Sequence, residues 1–405
     1  MRPAFHRLLP CLLALAAVAA CAQPGVGPHA AAAASPVAPP RDLPFQGAIT
    51  LSVDATDTVH RVYGVRERVP VQGAREIVLL YPQWETGSHA ATASAAALAG
   101  LRVSADGRRL DWRRDAVNAF AFHVDLPSGT AALDVEFQFL SPLSARGGMV
   151  TMTGDVVTVP WPSVLVYPAG WYARDIPVDA TLRLPPGLHA ATSLEALPPD
   201  ASLDESLLRF ERTTLERLAD SPVIAGRHVR REALGSFGAA PVRLALFAED
   251  AASLAGGDVA IAGLRRLVEQ ARALFGARHF DHYDFLVTLG DAFPGPGGIE
   301  HLASSESVLP ADTLTHPESQ LVNADLLAHE FVHSWNGRYR QPDDLWTPNL
   351  NEPMRGALLW VYEGQTQFWG RVLAARAGRR RRPPARAERR PPRPRRLRAV
   401  VLRRP

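Results

Sequence analysis

From about residue 46 to 230, apolar and polar positions alternate in short runs: AITLSVDA, EIVLLYP, LRVSADG, FAFHVDL, LDVEFQFL, VVTVPW and ATLRLPP. A period of two puts successive side chains on opposite faces of a strand. The DG, PSG and PPG turns between runs give the spacing of an all-β sandwich. No group of reactive side chains stands out in this stretch, which reads as a structural or substrate-guiding module.

The period changes after about 235. PVRLALFAED and DFLVTLG keep a strand pattern, but between them Ile261, Leu264, Val268, Ala271 and Phe275 recur at helical spacing. One apolar face over 257–277 follows. The Gly/Pro-rich loop DAFPGPGGIEH leads into a strand, IEHLASSESVL, and two further helices are expected at 320–338 and 357–377. Strands followed by helices make the second half α+β.

Composition changes this picture at the two ends. Arg2 and Arg7 precede the apolar run LLPCLLALAAVAA, which is too short for a confident membrane span and closes on Val18-Ala19-Ala20-Cys21. That pattern predicts an export signal over 1–21, with Cys21 as a lipidated first residue of a periplasmic, membrane-anchored lipoprotein of a Gram-negative bacterium. Plain signal cleavage is the alternative. Residues 22–45, rich in Ala and Pro, read as a tether. At the other end, residues 371–405 carry 15 Arg and a single acid, Glu388. Taking that net +14 from the chain total of +3 leaves residues 1–370 at −11. An acidic body excludes a nucleic-acid footprint.

The chemistry sits in His329-Glu330-Phe331-Val332-His333. Residues four apart share a helix face, so both imidazoles can reach one metal ion. Glu330, turned about 100° away, can act as general base on water that the metal activates. A catalytic zinc takes three protein ligands and keeps a position for water. The third is expected at Glu363, an isolated acid in the apolar, aromatic stretch ALLWVYEGQTQFWG. Asp343, Asp344 and Glu352 lie in a polar Pro-rich loop and are weaker candidates.

HEFVHSWN followed by LLWVYEGQTQFWG resembles the M61 metallopeptidases, the glycyl aminopeptidase group of gluzincins. VYPAGWYARDIPVDATLRLPPGLHAATSLE and LADSPVIAGRHVRRE extend the likeness into an N-terminal β domain. The resemblance implies a multidomain α+β chain: a β-sandwich over 46–235, then a thermolysin-like zinc-peptidase domain over 236–378 with an incomplete helical lobe. It implies one Zn2+ per chain on His329, His333 and Glu363, with Glu330 as base. It also implies that Gly298-Ile299-Glu300-His301 acts as a substrate-binding edge strand, whose backbone, Gly298 included, pairs with the substrate and whose Glu300 holds the free α-amine. His301 stands where Asn is usual. The substrate implied is a peptide with a small N-terminal residue, Gly or Ala.

After Gly378 the likeness is expected to end. Residues 379–405 (RRRRPPARAERRPPRPRRLRAVVLRRP) are Arg/Pro-rich where more helix and a PDZ domain would follow. With no Lys anywhere in the chain, this switch is read as a shifted reading frame in a GC-rich gene rather than as a basic arm. The alternative to an active enzyme is therefore a truncated, non-catalytic exported lipoprotein with a vestigial zinc site. An endopeptidase is a third reading. Tyr339 and Tyr362 are the tyrosines nearest the motif, and neither is assigned a role.

Overall fold

The computed structural model describes residues 37–71, 73–85, 87–143, 149–198, 206–291, 297–316 and 325–378. Cys21, the export signal, most of the tether, the start of the helix expected from 320 and the Arg/Pro-rich segment lie outside them.

The alternating runs form strands whose burial alternates with them. Ile49–Asp57 buries Ile49, Leu51, Val53 and Ala55 and exposes Thr50, Ser52 and Thr56. It pairs antiparallel with Val62–Pro70 and parallel with Pro177–Arg183 in a large sheet that also holds Ala132–Leu140 and Leu98–Ala105. A second sheet contains Glu76–Leu80 and Ala121–Asp125. Leu51, Val65, Val135 and Leu182 from the first sheet share one core with Leu79, Phe122 and Val124 from the second. That is a sandwich, as the period-two pattern requires.

A three-stranded sheet, His189–Ala191, Val223–Gly226 and Val156–Val159, joins this module to the next. Its Val156 and Ile224 pack with Phe247, Leu286 and Val308 of the following sheet. That following sheet has five strands in the order His228–Phe237, Ala240–Ala248, Tyr283–Leu289, Ser304–Leu309 and Gly297–Glu300. The three central strands run parallel to one another and the two outer ones antiparallel to their neighbours. Tyr283–Leu289 is buried along its whole length, as expected of a strand covered on both faces.

Two boundaries differ from the sequence reading. His228–Phe237, assigned there mostly to the first domain, belongs to the five-stranded sheet, so the change of sheet falls at 226–228 rather than 235. Its face is largely exposed, and HVRREALGSF carries no clean alternation to announce a strand. The single strand expected in IEHLASSESVL is a hairpin, with Glu300 opposite Ser305. Its turn has no Gly, Pro, Asn or Asp. It is held instead by Asp220, whose Oδ2 accepts from Leu302 N at 2.9 Å, and by Ser334, whose hydroxyl donates to Leu302 O at 2.5 Å. Tertiary partners replace turn chemistry there.

Among the described residues the helices are α1 (Leu215–Ala219), α2 (Asp258–Phe275), α3 (Leu326–His333) and α4 (Leu359–Arg376). Helix α1 is capped by Thr214, whose hydroxyl accepts from Arg217 N at 3.2 Å, and its end places Asp220 in the interior. Helix α2 buries Ile261, Leu264, Leu267, Val268 and Ala271 in the core that also takes Leu327, Ala328, Phe331 and Val332 of α3. Phe275 is only partly buried, stacked on Trp335 at 4.6 Å.

Candidate metal centre and cleft

Helices α3 and α4 lie unusually close at one point. A Cβ on Gly370 of α4 would sit 2.9 Å from His329 Cα and 3.0 Å from His329 N. Only glycine permits that approach, and its cost within a helix is about 1 kcal/mol relative to Ala. The consequence is that Glu363, two turns earlier on the same face of α4, meets the histidines of α3.

Three ligand-type atoms converge there. Nε2 of His329 and Nε2 of His333 are 2.9 Å apart, and Glu363 Oε2 lies 3.2 Å from the first and 3.6 Å from the second. Around a zinc ion with bonds of about 2.0–2.1 Å, tetrahedral ligand atoms stand about 3.3 Å apart. The observed spacing brackets that value. His333 Nδ1 lies 3.2 Å from Asn336 O and 3.3 Å from Thr366 Oγ1. Donation from Nδ1 to the carbonyl leaves the Nε2 lone pair free to ligate. His329 Nδ1 is buried without a partner among the described residues. The donor set fits a divalent metal that favours imidazole and carboxylate.

The sequence singles out Glu363 as an isolated acid in an apolar, aromatic stretch, and two of the aromatic residues of that stretch lie at the surface. Trp360 and Phe368 are 72% and 58% exposed, and the Glu363 side chain itself is 37% exposed. What distinguishes this carboxylate is its position against the two imidazoles. Burial opposes its ionisation, but His329, His333 and His89 together hold it far below the usual carboxylate range.

Glu330 is buried and faces the edge strand Gly297–Glu300. A Cβ on Gly298 would stand 2.7 Å from Glu330 Cδ, so the bare glycine makes room for the acid. Burial, then the charges of Glu300, Glu363 and Glu306, push the Glu330 carboxyl well above its ordinary value. Acceptor atoms of Glu300, Glu330 and His333 all lie within 4.8 Å of one another. Among the described residues the 297–300 strand pairs only with Ser304–Leu309, and no described strand lies on its other edge, the kind of edge to which an extended chain can add.

Glu300 is buried at the end of that strand and accepts from the Tyr362 hydroxyl. Burial would raise its pKa, but His89, His333 and Tyr362 lower it on balance, which keeps it an acceptor. Behind it lies a buried ionic group that the sequence reading missed. Asp220 is 3.0 Å from Arg338 and 3.1 Å from His301 Nδ1. Burial disfavours the His301 cation, yet Asp220 and Glu306 raise it to about 9. His301 therefore points away from the cleft, into a structural ion network.

His89 was also missed. It reaches the cleft from the sandwich module, with Nε2 2.9 Å from Glu363 Oε1 and 3.4 Å from Glu300 Oε1. Burial lowers its pKa, but the two carboxylates outweigh that and raise it to about 9. No sequence signal pointed to it, since it stands in a polar loop far from the motif. Neither tyrosine near the motif is free. Tyr362 is engaged by Glu300, and Tyr339 is 56% exposed and stacked on His279 at 4.4 Å. Asp343, Asp344 and Glu352 are not part of the three-ligand group.

Residues 50–227 match the family model of the peptidase M61 N-terminal domain, and residues 322–388 match that of M61 glycyl aminopeptidase. Together the matches span more than half of the chain, and the second runs on into the Arg/Pro-rich segment. Among solved structures, the fold is similar to that of an aminopeptidase N family protein from Idiomarina loihiensis, with a TM-score of 0.69 and 20% identity. The likeness covers 82% of this chain and 55% of that one, so the chain spans about half that protein's length. No curated protein matches it.

Proposed function

Because the chain belongs to the M61 peptidase family, we propose that it is a zinc-dependent aminopeptidase releasing small N-terminal residues, Gly or Ala, from peptides. The observation that carries this reading is the convergence of His329, His333 and Glu363 within 3.6 Å, beside a buried Glu330 and an edge strand ending in Glu300.

His329, His333 and Glu363 would hold the zinc, one per chain. Zinc at such a site supplies Lewis acidity and brings the pKa of water to about 7. The remaining work falls to the chain's own groups. Gly297–Glu300 pairs its outer edge with the peptide backbone and fixes the scissile bond beside Glu330. Glu330 takes a proton from the attacking water and returns it to the leaving amine. Glu300, fixed by Tyr362, receives the substrate's α-ammonium through a charge-assisted hydrogen bond. Recognition of a free amine at that distance from the reacting centre restricts cleavage to the first peptide bond.

The test compares free and N-acetylated alanyl peptides. Hydrolysis of the free form alone, abolished by chelator and restored by zinc, is expected. Equal cleavage of the acetylated form would replace the aminopeptidase reading with an endopeptidase one.

The same proposal places the protein outside the cytoplasm, anchored through a lipid on Cys21. Among the described residues no helix is long and apolar enough to cross a membrane. Palmitate labelling that persists in Cys21→Ser would remove the anchor from the account.

A further inference from the structure

The loop that carries His89 is pinned by its own hydrogen bonds. The Ser88 hydroxyl donates to Glu85 O at 2.8 Å, and Thr92 Oγ1 donates to Glu85 Oε2 at 2.8 Å. His89 itself has φ +52°, the left-handed region that non-glycine residues seldom occupy. This backbone directs the imidazole between two carboxylates from different elements, Glu300 of the edge strand and Glu363 of α4. The ring meets Tyr362 edge-on at 4.7 Å, and neither of its nitrogens makes a hydrogen bond among the described residues, so Nε2 meets the two carboxylates as close charge contacts only. The imidazole is thus held by the carboxylate pair alone, with no hydrogen bond of its own to secure it.

The Oε1 atoms of Glu363 and Glu300 approach the same atom, His89 Nε2, at 2.9 and 3.4 Å. Tyr362 already occupies another side of Glu300. An α-ammonium bound to Glu300 beside the ligand triad must take the position that His89 Nε2 now holds. We propose that His89 is a displaceable occupant of the amine seat, a specificity-determining residue that an incoming N-terminal ammonium must expel. The inference rests on the aminopeptidase reading given above and adds to it a named competitor from the sandwich module.

Displacement has a measurable form. When the binding-competent state is only a fraction of the population, apparent affinity falls by that fraction. If the seated form outnumbers the open form about tenfold, removing the imidazole tightens amine binding about tenfold. The displacement is an event of amine binding, so it is read in the Kd for the amine and in KM.

The experiment titrates glycinamide into the full chain by calorimetry, with and without zinc, for the parent, His89→Asn and His89→Ala. Asparagine tolerates the left-handed backbone and guards against misfolding of the alanine variant. The expected result is a Kd for glycinamide about tenfold lower in both variants, in the metal-free protein as well. KM for alanine p-nitroanilide should fall by the same factor. N-acetylglycinamide, which lacks the cation, should not discriminate between parent and variants. Unchanged or weaker glycinamide binding in His89→Asn, with binding still dependent on Glu300, overturns the displacement and leaves the aminopeptidase reading standing. Glycinamide binding that is indifferent to Glu300→Gln in the parent overturns that reading, and this inference with it.

Discussion

Replacing Gly370 by Ala should damage the metal centre without touching a ligand. The new Cβ would lie 2.9 Å from His329 Cα, where ordinary contact begins at 3.4 Å. Both atoms are on helices, so no flexible side chain can yield, and α3 and α4 must part by at least about 0.5 Å. Glu363 and Thr366 share the Gly370 face of α4, and Thr366 is hydrogen-bonded to Asn336. The displacement therefore reaches a ligand set whose atoms stand only 2.9–3.6 Å apart. Overpacking of this kind costs about 1–3 kcal/mol, against which the better helix propensity of Ala returns about 1 kcal/mol. Misplacing the support of a metal ligand commonly lowers affinity about 10- to 100-fold. Competition with a fluorescent chelator measures the affinity, and thermal unfolding without metal measures the packing term. Gly364→Ala is the control, because a Cβ there meets nothing within 4 Å on the same helix. It should gain up to about 1 kcal/mol and keep its zinc affinity. If Gly370→Ala behaves like Gly364→Ala in both assays, the close approach of the two helices is refuted as the device that builds the site.

Other outcomes follow from the same geometry. Glu330→Gln should retain zinc and lose about 10² to 10⁴ in turnover; a fully active variant would remove Glu330 as the base. Asp220→Asn leaves the Arg338 guanidinium buried opposite a neutral group and should cost about 3–5 kcal/mol in denaturant unfolding, whereas a loss below about 1 would show the ion network to be slack. His301, raised by Asp220 and Glu306 to about 9 from 6.5, binds its proton more tightly folded than unfolded. Its contribution is thus complete below pH 6.5 and disappears as pH rises through 9, on the order of 3 kcal/mol in all. Melting temperature should fall between pH 7 and 10, and His301→Asn should flatten that slope; a parallel fall in both proteins contradicts the assignment.

What the sequence shows of this molecule follows the range of the interactions involved. Periodicity is local, so the sandwich strands, helix α2 and the i, i+4 placement of His329 and His333 could all be read from neighbouring residues. The edge strand was legible as a segment but not as half of a hairpin, because its turn is specified by Asp220 and Ser334 and not by its own residues. Glu363 could be singled out as a lone acid, but its partners, the two imidazoles, come from another helix, and of the aromatic residues around it Trp360 and Phe368 are exposed while Tyr362 is buried. His89 had no local signal at all. Its position depends on a left-handed backbone at one residue and on the docking of one domain against another, neither of which leaves a pattern in a single sequence. The Asp220–His301–Arg338 network is hidden for the same reason, since its members come from the end of α1, the hairpin turn and the segment after α3.

The most direct test of the account is the metal content of the chain purified without chelators, measured beside a His333→Ala, Glu363→Ala double variant. One zinc per parent chain and none in the variant is the predicted result. Zinc retained in full by the double variant, or a parent chain that takes up no zinc when it is offered, would contradict it.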